Sequence, residues 1–100
     1  VVEEMPEFPG GMPELMNWLG KNIKYPTICQ ENGTQGRVIV QFVVTREGDI
    51  TDAAVAKGVD PYLDAEALRV IKSMPKWKPG KQRGKEVNVK YILPVVFRLQ

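Results

Sequence analysis

The closing stretch, residues 87–99, constrains this chain more than any other, because it alternates as a sheet member does and yet carries Pro94 near its middle. Proline has no backbone N–H, so a central position in a ladder would lose a hydrogen bond, and the segment is predicted to be an edge strand. A long open edge leaves a row of unpaired backbone groups, onto which a partner's peptide can add itself as another strand.

The remaining residues suffice for one core. Splitting 100 residues into two would leave each half too small to bury enough surface. A hydrophobic content of 43% with 26% charged residues describes an ordinary folded domain, not a disordered or fibrous one. No run reaches the roughly 18 to 20 apolar residues that span a bilayer, and no charged start leads into an apolar signal core. Any targeting segment is therefore expected upstream. Cys29 is the single cysteine, which excludes an internal disulfide.

The net charge of +2 is unevenly spread. Glu3, Glu4, Glu7 and Glu14 stand at the start, whereas Arg69, Lys72, Lys76, Lys78, Lys81, Arg83, Lys85 and Lys90 crowd the second half. Such a tract favours an acidic partner or an anionic surface, or is simply a solvated face.

Residues 1–11 hold Pro6, Pro9 and the Gly10-Gly11 pair, so they are predicted to be a lead-in arm ending in a turn. Pro13 suits the first turn of a helix, and Leu15, Trp18 and Leu19, with Asn22 or Ile23, return on one side to about Lys21. Tyr25-Pro26 stops that helix, and a short helical turn is expected over 27–31. From Gly36 the period becomes two, with Val38, Val40, Phe42 and Val44 on one face. The run Arg46-Glu47-Gly48-Asp49 reads as a turn, with Asp49 and Asp52 assigned to it, so residues 50–57 should fold back antiparallel. Ala53, Ala54 and Ala56 there should leave room for a closely packed helix. Asp60-Pro61 is a strong helix start, with Leu63, Ala67, Val70 or Ile71, and Met74 as its buried stripe and Asp64, Arg69 and Lys72 in solvent. Trp77, between Pro75 and Pro79, is expected to plug the seam between helix and sheet.

Candidates for catalysis are few. There is no histidine, which removes the commonest general base and transition-metal ligand. Nothing near Cys29 lowers its pKa, so it reads as a buried, inert thiol. The spacing of Asp49, Asp52, Asp60 and Asp64 does not fit a calcium loop, and neither glycine cluster is followed by the lysine of a phosphate loop. The basic tract lacks the repeated exposed aromatics on which nucleic-acid bases would stack. No catalytic residue, metal, cofactor or nucleic acid is therefore expected.

The order helix, strand, strand, helix, strand closes as an α+β two-layer sandwich. The predicted sheet has three antiparallel strands in the order 2-1-3, with both helices on its Val38/Val40/Phe42/Val44 face and the last strand at one edge.

Along this order the chain carries Phe8-Pro9-Gly10-Gly11, Asn22-Ile23-Lys24-Tyr25-Pro26, Gln35-Gly36-Arg37-Val38, Phe42-Val43-Val44, Gly48, Asp64-Ala65-Glu66-Ala67-Leu68, Trp77-Lys78-Pro79-Gly80 and Pro94-Val95-Val96-Phe97. In this ordered set it resembles the periplasmic C-terminal domain of TonB proteins, in the variety found in the Bacteroidetes. It implies a domain at 12–100, preceded by the arm at 1–11 and carried by an inner-membrane protein with an N-terminal anchor. It further implies partnership with the ExbB–ExbD complex, which draws on the proton motive force, and capture of the TonB box of outer-membrane transporters for siderophores, cobalamin, haem or glycans. The resemblance puts the TonB box on the last strand. The expected rail is then Val89, Lys90, Tyr91, Ile92, Leu93, Pro94, Val95 and Val96, flanked for specificity by the loop with Lys81, Arg83 and Lys85 and by Asn88. A second proline at Val95 is expected to remove another rail donor and spare the core. The same domain also occurs fused to membrane-bound regulatory metallopeptidases as an interaction or sensor module. A self-associating structural domain, a homodimer with final strands paired across it, would use the same edge.

Overall fold

A computed structural model describes residues 2–100. The elements run α1 (Met12–Asn22), α2 (Thr27–Asn32), β1 (Gly36–Val44), β2 (Ile50–Lys57), α3 (Pro61–Lys72), β3 (Gly80–Gln82), β4 (Lys85–Val87) and β5 (Val89–Phe97). Strands β2, β1 and β5 form an antiparallel sheet in that order, so the predicted 2-1-3 topology is the observed one. Val38, Val40, Phe42 and Val44 of β1 are buried, and opposite them on β5 stand Val95, Leu93, Tyr91 and Val89. This inner face packs against Leu15 and Leu19 of α1 and Leu63, Ala67, Val70 and Ile71 of α3.

Local chemistry explains where the helices start. Pro13 occupies the first turn of α1, where its missing N–H costs no hydrogen bond. The Asp60 carboxylate caps α3, accepting from the N–H of Tyr62 at 2.9 Å and of Leu63 at 3.2 Å, with Pro61 following as the first helical residue. Burial alone would raise the Asp60 pKa, and the hydrogen bonds from Leu63, the Cys29 thiol and Tyr62 outweigh it and hold the carboxyl below its ordinary range. Asp64 is not in open solvent as expected. Its carboxylate turns back to accept from Val59 N–H at 2.9 Å, tying the loop to the helix. Farther along α3, Glu66 accepts from Lys24 N–H at 2.7 Å while pairing with Arg69, which also donates to the Asn22 carbonyl at 2.9 Å. The Arg69 hydrogen bond lowers the Glu66 pKa and raises that of Arg69. The pair fastens the end of α1 to α3.

Four readings are corrected by the long-range structure. The 81–85 loop is a hairpin of β3 and β4, turning at Arg83 and Gly84, both with positive φ. The final strand is not continuous from residue 87, because Asn88 breaks it and turns its side-chain oxygen to Arg46 N–H at 2.7 Å. Asp52 lies within β2, not in the turn, at a bulge with φ 53°. Of the β2 alanines only Ala53 packs on the core, since register shifts leave Ala54 and Ala56 exposed.

The arm is part of the packed structure. Glu4 and Glu7 bridge antiparallel to Lys81 and Lys78, and Phe8 is only 6% exposed. Its ring meets Trp77 edge-on at 5.9 Å, and Trp77 in turn contacts Phe42 at 5.5 Å and Tyr91 at 5.0 Å. Trp77, 3% exposed, fills the seam as its sequence setting predicts. Its backbone is gripped by the β1–β2 turn, where Trp77 N–H donates to the Gly48 carbonyl at 2.9 Å. Gly48 has φ +87°, and a Cβ there would sit 2.1 Å from the Trp77 carbonyl oxygen, so the turn requires glycine.

Candidate functional site

The candidate site is the side of β5 that faces away from β1, an open edge, since among the described residues β5 pairs with β1 alone. Which backbone groups lie there follows from strand parity, because successive residues direct their N–H and C=O to opposite sides. Thr45 N–H donates to the Asp49 carbonyl at 2.9 Å on the β2 side, and Arg46 N–H donates to Asn88 on the β5 side. Even-numbered residues of β1 therefore face β5 and odd-numbered residues face β2. Ile39, opposite Pro94, turns its own groups toward β2, so the pair is not hydrogen-bonded and the missing proline donor falls on the open edge. That is why a proline is tolerated there.

The register from Gly36↔Phe97 to Val44↔Val89 has no shift, so the parity extends along the strand. Lys90, Ile92 and Val96 present N–H and C=O to the open edge, and Pro94 presents its carbonyl. Val89, Tyr91, Leu93 and Val95 give theirs to β1. The expectation for Val95 is thereby corrected, because its N–H belongs to the inner ladder opposite Val38 and a proline there would strike the core. Side chains divide in the same way: Ile92 and Val96 stand 59% and 52% exposed on the outer face, while Val89, Leu93 and Val95 are buried.

Helix α1 runs beside this edge. Met16, Gly20 and Ile23 line a groove of about 280 Å³ with Pro94, Val96 and Arg98, and Tyr25 and Phe97 lie within it, edge to face with ring centroids 5.6 Å apart. The Tyr25 hydroxyl donates to the Thr34 carbonyl, and burial followed by the Cys29 charge pushes its pKa up. Toward the other end, a cleft of about 160 Å³ lies between Met12, Tyr91 and the arm. Met12 and Met16 are 50% and 47% exposed. The sequence reading took α1 as a buried stripe and missed this wall. The available signal was the four-residue spacing of Met12, Met16 and Gly20, which aligns them on one helix side.

The flanking residues sit around the start of β5. Lys81 lies in β3, where its carbonyl accepts from Glu3 and Glu4 at 3.0 Å each. Arg83 N–H donates to the Glu3 carboxylate at the hairpin tip, and Lys85 opens β4. Asn88 supports the β1–β2 turn through Arg46. Cys29 is buried away from the edge, its thiol 3.4 Å from the Asp60 carboxylate, and burial first and that carboxylate second raise its pKa.

Residues 21–99 match the family described as Gram-negative bacterial TonB protein C-terminal. The chain belongs to this family. It is 31% identical over 78 residues to Protein TonB of Helicobacter pylori, a match covering 77% of this chain and 26% of that protein, so the chain spans about a quarter of the length of this curated relative. The solution structure of Helicobacter pylori TonB-CTD, residues 179–285, superposes with a TM-score of 0.68 at 30% identity, covering 92% of this chain and 87% of that one. A shorter form of the same domain, residues 194–285, gives a TM-score of 0.65 at 27% identity over 84% and 88% of the two chains. The TonB-type α+β fold is therefore shared.

Proposed function

We propose that this domain captures an extended segment of an outer-membrane transporter, the TonB box, as an added strand on β5, and passes to it a pull derived from the proton motive force. The observation that carries the reading is the uncovered edge of β5 in a member of the TonB C-terminal family. Val89 to Val96 form the rail, with the edge groups of Lys90, Ile92, Pro94 and Val96 making the bonds. Each hydrogen bond contributes only about 0.5 to 1.5 kcal/mol net. Bonds spread along a strand and loaded in parallel nevertheless resist a pull that would break any one of them. Affinity can thus stay moderate while force is transmitted.

Backbone pairing selects little sequence, so the cationic side chains of Lys81, Arg83 and Lys85 would favour acidic residues flanking the captured segment and speed encounter. In the whole protein the domain would work in the periplasm, joined upstream to an inner-membrane anchor and the ExbB–ExbD complex. The role is mechanical and needs no catalytic residue or cofactor.

The test is a two-dimensional amide NMR titration with N-terminal peptides of outer-membrane transporters from the same organism. Shifts concentrated in β5 support strand capture. An absence of shifts with every peptide, or a dimer in solution held through β5, would overturn it in favour of a regulatory or self-associating module.

A further inference from the structure

The added strand would expose alternate side chains to the groove beneath it, and the groove is not featureless. We infer that the space between α1 and β5 is a pocket for one uncharged aliphatic side chain of the captured segment, kept open by Gly20. This rests on the strand-addition reading above and adds a side-chain rule to a site that backbone pairing alone leaves unselective.

Three observations converge on it. Leu93 and Val95 spend their own N–H and C=O on β1, so a visitor added antiparallel would meet them in non-hydrogen-bonded pairs, where cross-strand side chains approach most closely. A visiting residue opposite Val95 points to the helix side of the sheet, as Val95 itself does, and so into the groove of about 280 Å³ at Pro94 and Val96. Secondly, Gly20 lies inside α1, where glycine is a poor helix former compared with alanine. A Cβ at Gly20 would meet nothing within 4 Å, so packing of the domain does not demand glycine there. What the missing side chain leaves is room in the groove. Thirdly, the pocket opens beside the one rail position with no donor, so burial of an apolar side chain there offsets the hydrogen bond that Pro94 cannot make.

The lining chemistry sets the class of occupant. Met16, Ile23 and Phe97 are apolar, and the only charged lining residue, Arg98, is exposed at the rim. A visiting lysine would meet that cation, and a visiting carboxylate would lose hydration among hydrocarbon walls. Met16, flexible and half-exposed, can adjust to valine, isoleucine or leucine.

The experiment uses acetylated peptides of nine residues, the length of β5, with alternating threonine and valine and a central guest that is valine, leucine, aspartate or lysine. They are titrated by amide NMR onto the wild-type chain, Gly20→Leu, Met16→Ala and Ile92→Pro. Valine or leucine guests should bind the wild type about tenfold or more tightly than charged guests. That preference should collapse in Gly20→Leu, whose melting temperature should equal or exceed that of wild type. Met16→Ala, which enlarges the pocket, should shift preference from valine toward leucine and covers the case in which Gly20→Leu misfolds. Unchanged guest preference in both pocket variants, with binding still weakened about two- to tenfold in Ile92→Pro, would overturn the pocket and leave the rail standing. Wild-type binding by Ile92→Pro, or no binding of any guest, would overturn the strand-addition reading and the pocket with it.

Discussion

Two proline substitutions three residues apart should have opposite consequences. Ile92 directs its N–H to the open edge and its side chain, 59% exposed, to the outer face. Proline there takes nothing from the inner ladder, and Tyr91 before it is already extended as proline requires, so the stability cost should stay below about 1 kcal/mol. In complex, the variant lacks one donor, worth about 0.5 to 1.5 kcal/mol, which weakens peptide binding roughly two- to tenfold. Val95 directs its N–H to Val38, whose pairing residue on β5 it is. Proline at that position strands the carbonyl of a fully buried residue, at about 1 to 3 kcal/mol before any ring clash with β1. A domain of this size has roughly 5 to 15 kcal/mol in total, so the loss is easily measured. Urea unfolding should shift the midpoint clearly for Val95→Pro and little for Ile92→Pro, while NMR titration with a transporter peptide should rank Ile92→Pro as the weaker binder among folded proteins. A wild-type midpoint for Val95→Pro together with a collapsed one for Ile92→Pro would reverse the parity and refute the assignment of the open edge.

Further consequences follow from the core and the caps. Phe42→Ala removes a ring packed on Trp77 and Tyr91 and should cost about 3 to 5 kcal/mol in urea unfolding. Gly48→Ala should destabilise by more than the few tenths usual for a surface site, because its Cβ would fall 2.1 Å from the Trp77 carbonyl oxygen, and the unfolding transition followed by tryptophan fluorescence should move to lower urea. The Asp60 and Glu66 carboxyls are both lowered in the folded state, so their contribution is complete above the ordinary carboxylate pKa of about 4 and is lost as pH falls through their folded values. Melting temperature should therefore be flat from pH 7 to about 5 and drop below about 4. Asp60→Asn, which keeps a capping oxygen but cannot titrate, should flatten that acid limb; an unchanged limb would show that the cap's charge does not matter.

The parts legible in the sequence share one property, that their cause is local. Asp60-Pro61 states a helix start within two residues, and the capping bonds appear as expected. The alternation of Val38, Val40, Phe42 and Val44 makes a buried face wherever that strand pairs. Pro94 excludes a donor on one side, and the strand is placed accordingly at the edge. The residues that escaped depend on distant partners. Phe8 sits among prolines and glycines with no periodicity, and only bridging of the arm to Lys78 and Lys81 delivers its ring to Trp77. Asn88 looks like one more alternating residue until the β1–β2 turn arrives with an N–H in need of an acceptor.

By itself, then, the sequence determined the types of α1, α3, β1, β2 and β5, the inward face of the sheet and the edge character of the last strand, because dihedral limits, capping and side-chain alternation act over a few residues. Tertiary structure alone decided which groups of β5 remain open, since that parity is inherited through β1 from the hairpin to β2. It also decided what lies beside the open groups. Met16 and Gly20 line a groove beside the open edge only because the tie between Glu66, Arg69 and the end of α1, together with the buried Leu15 and Leu19, orients the helix against the sheet.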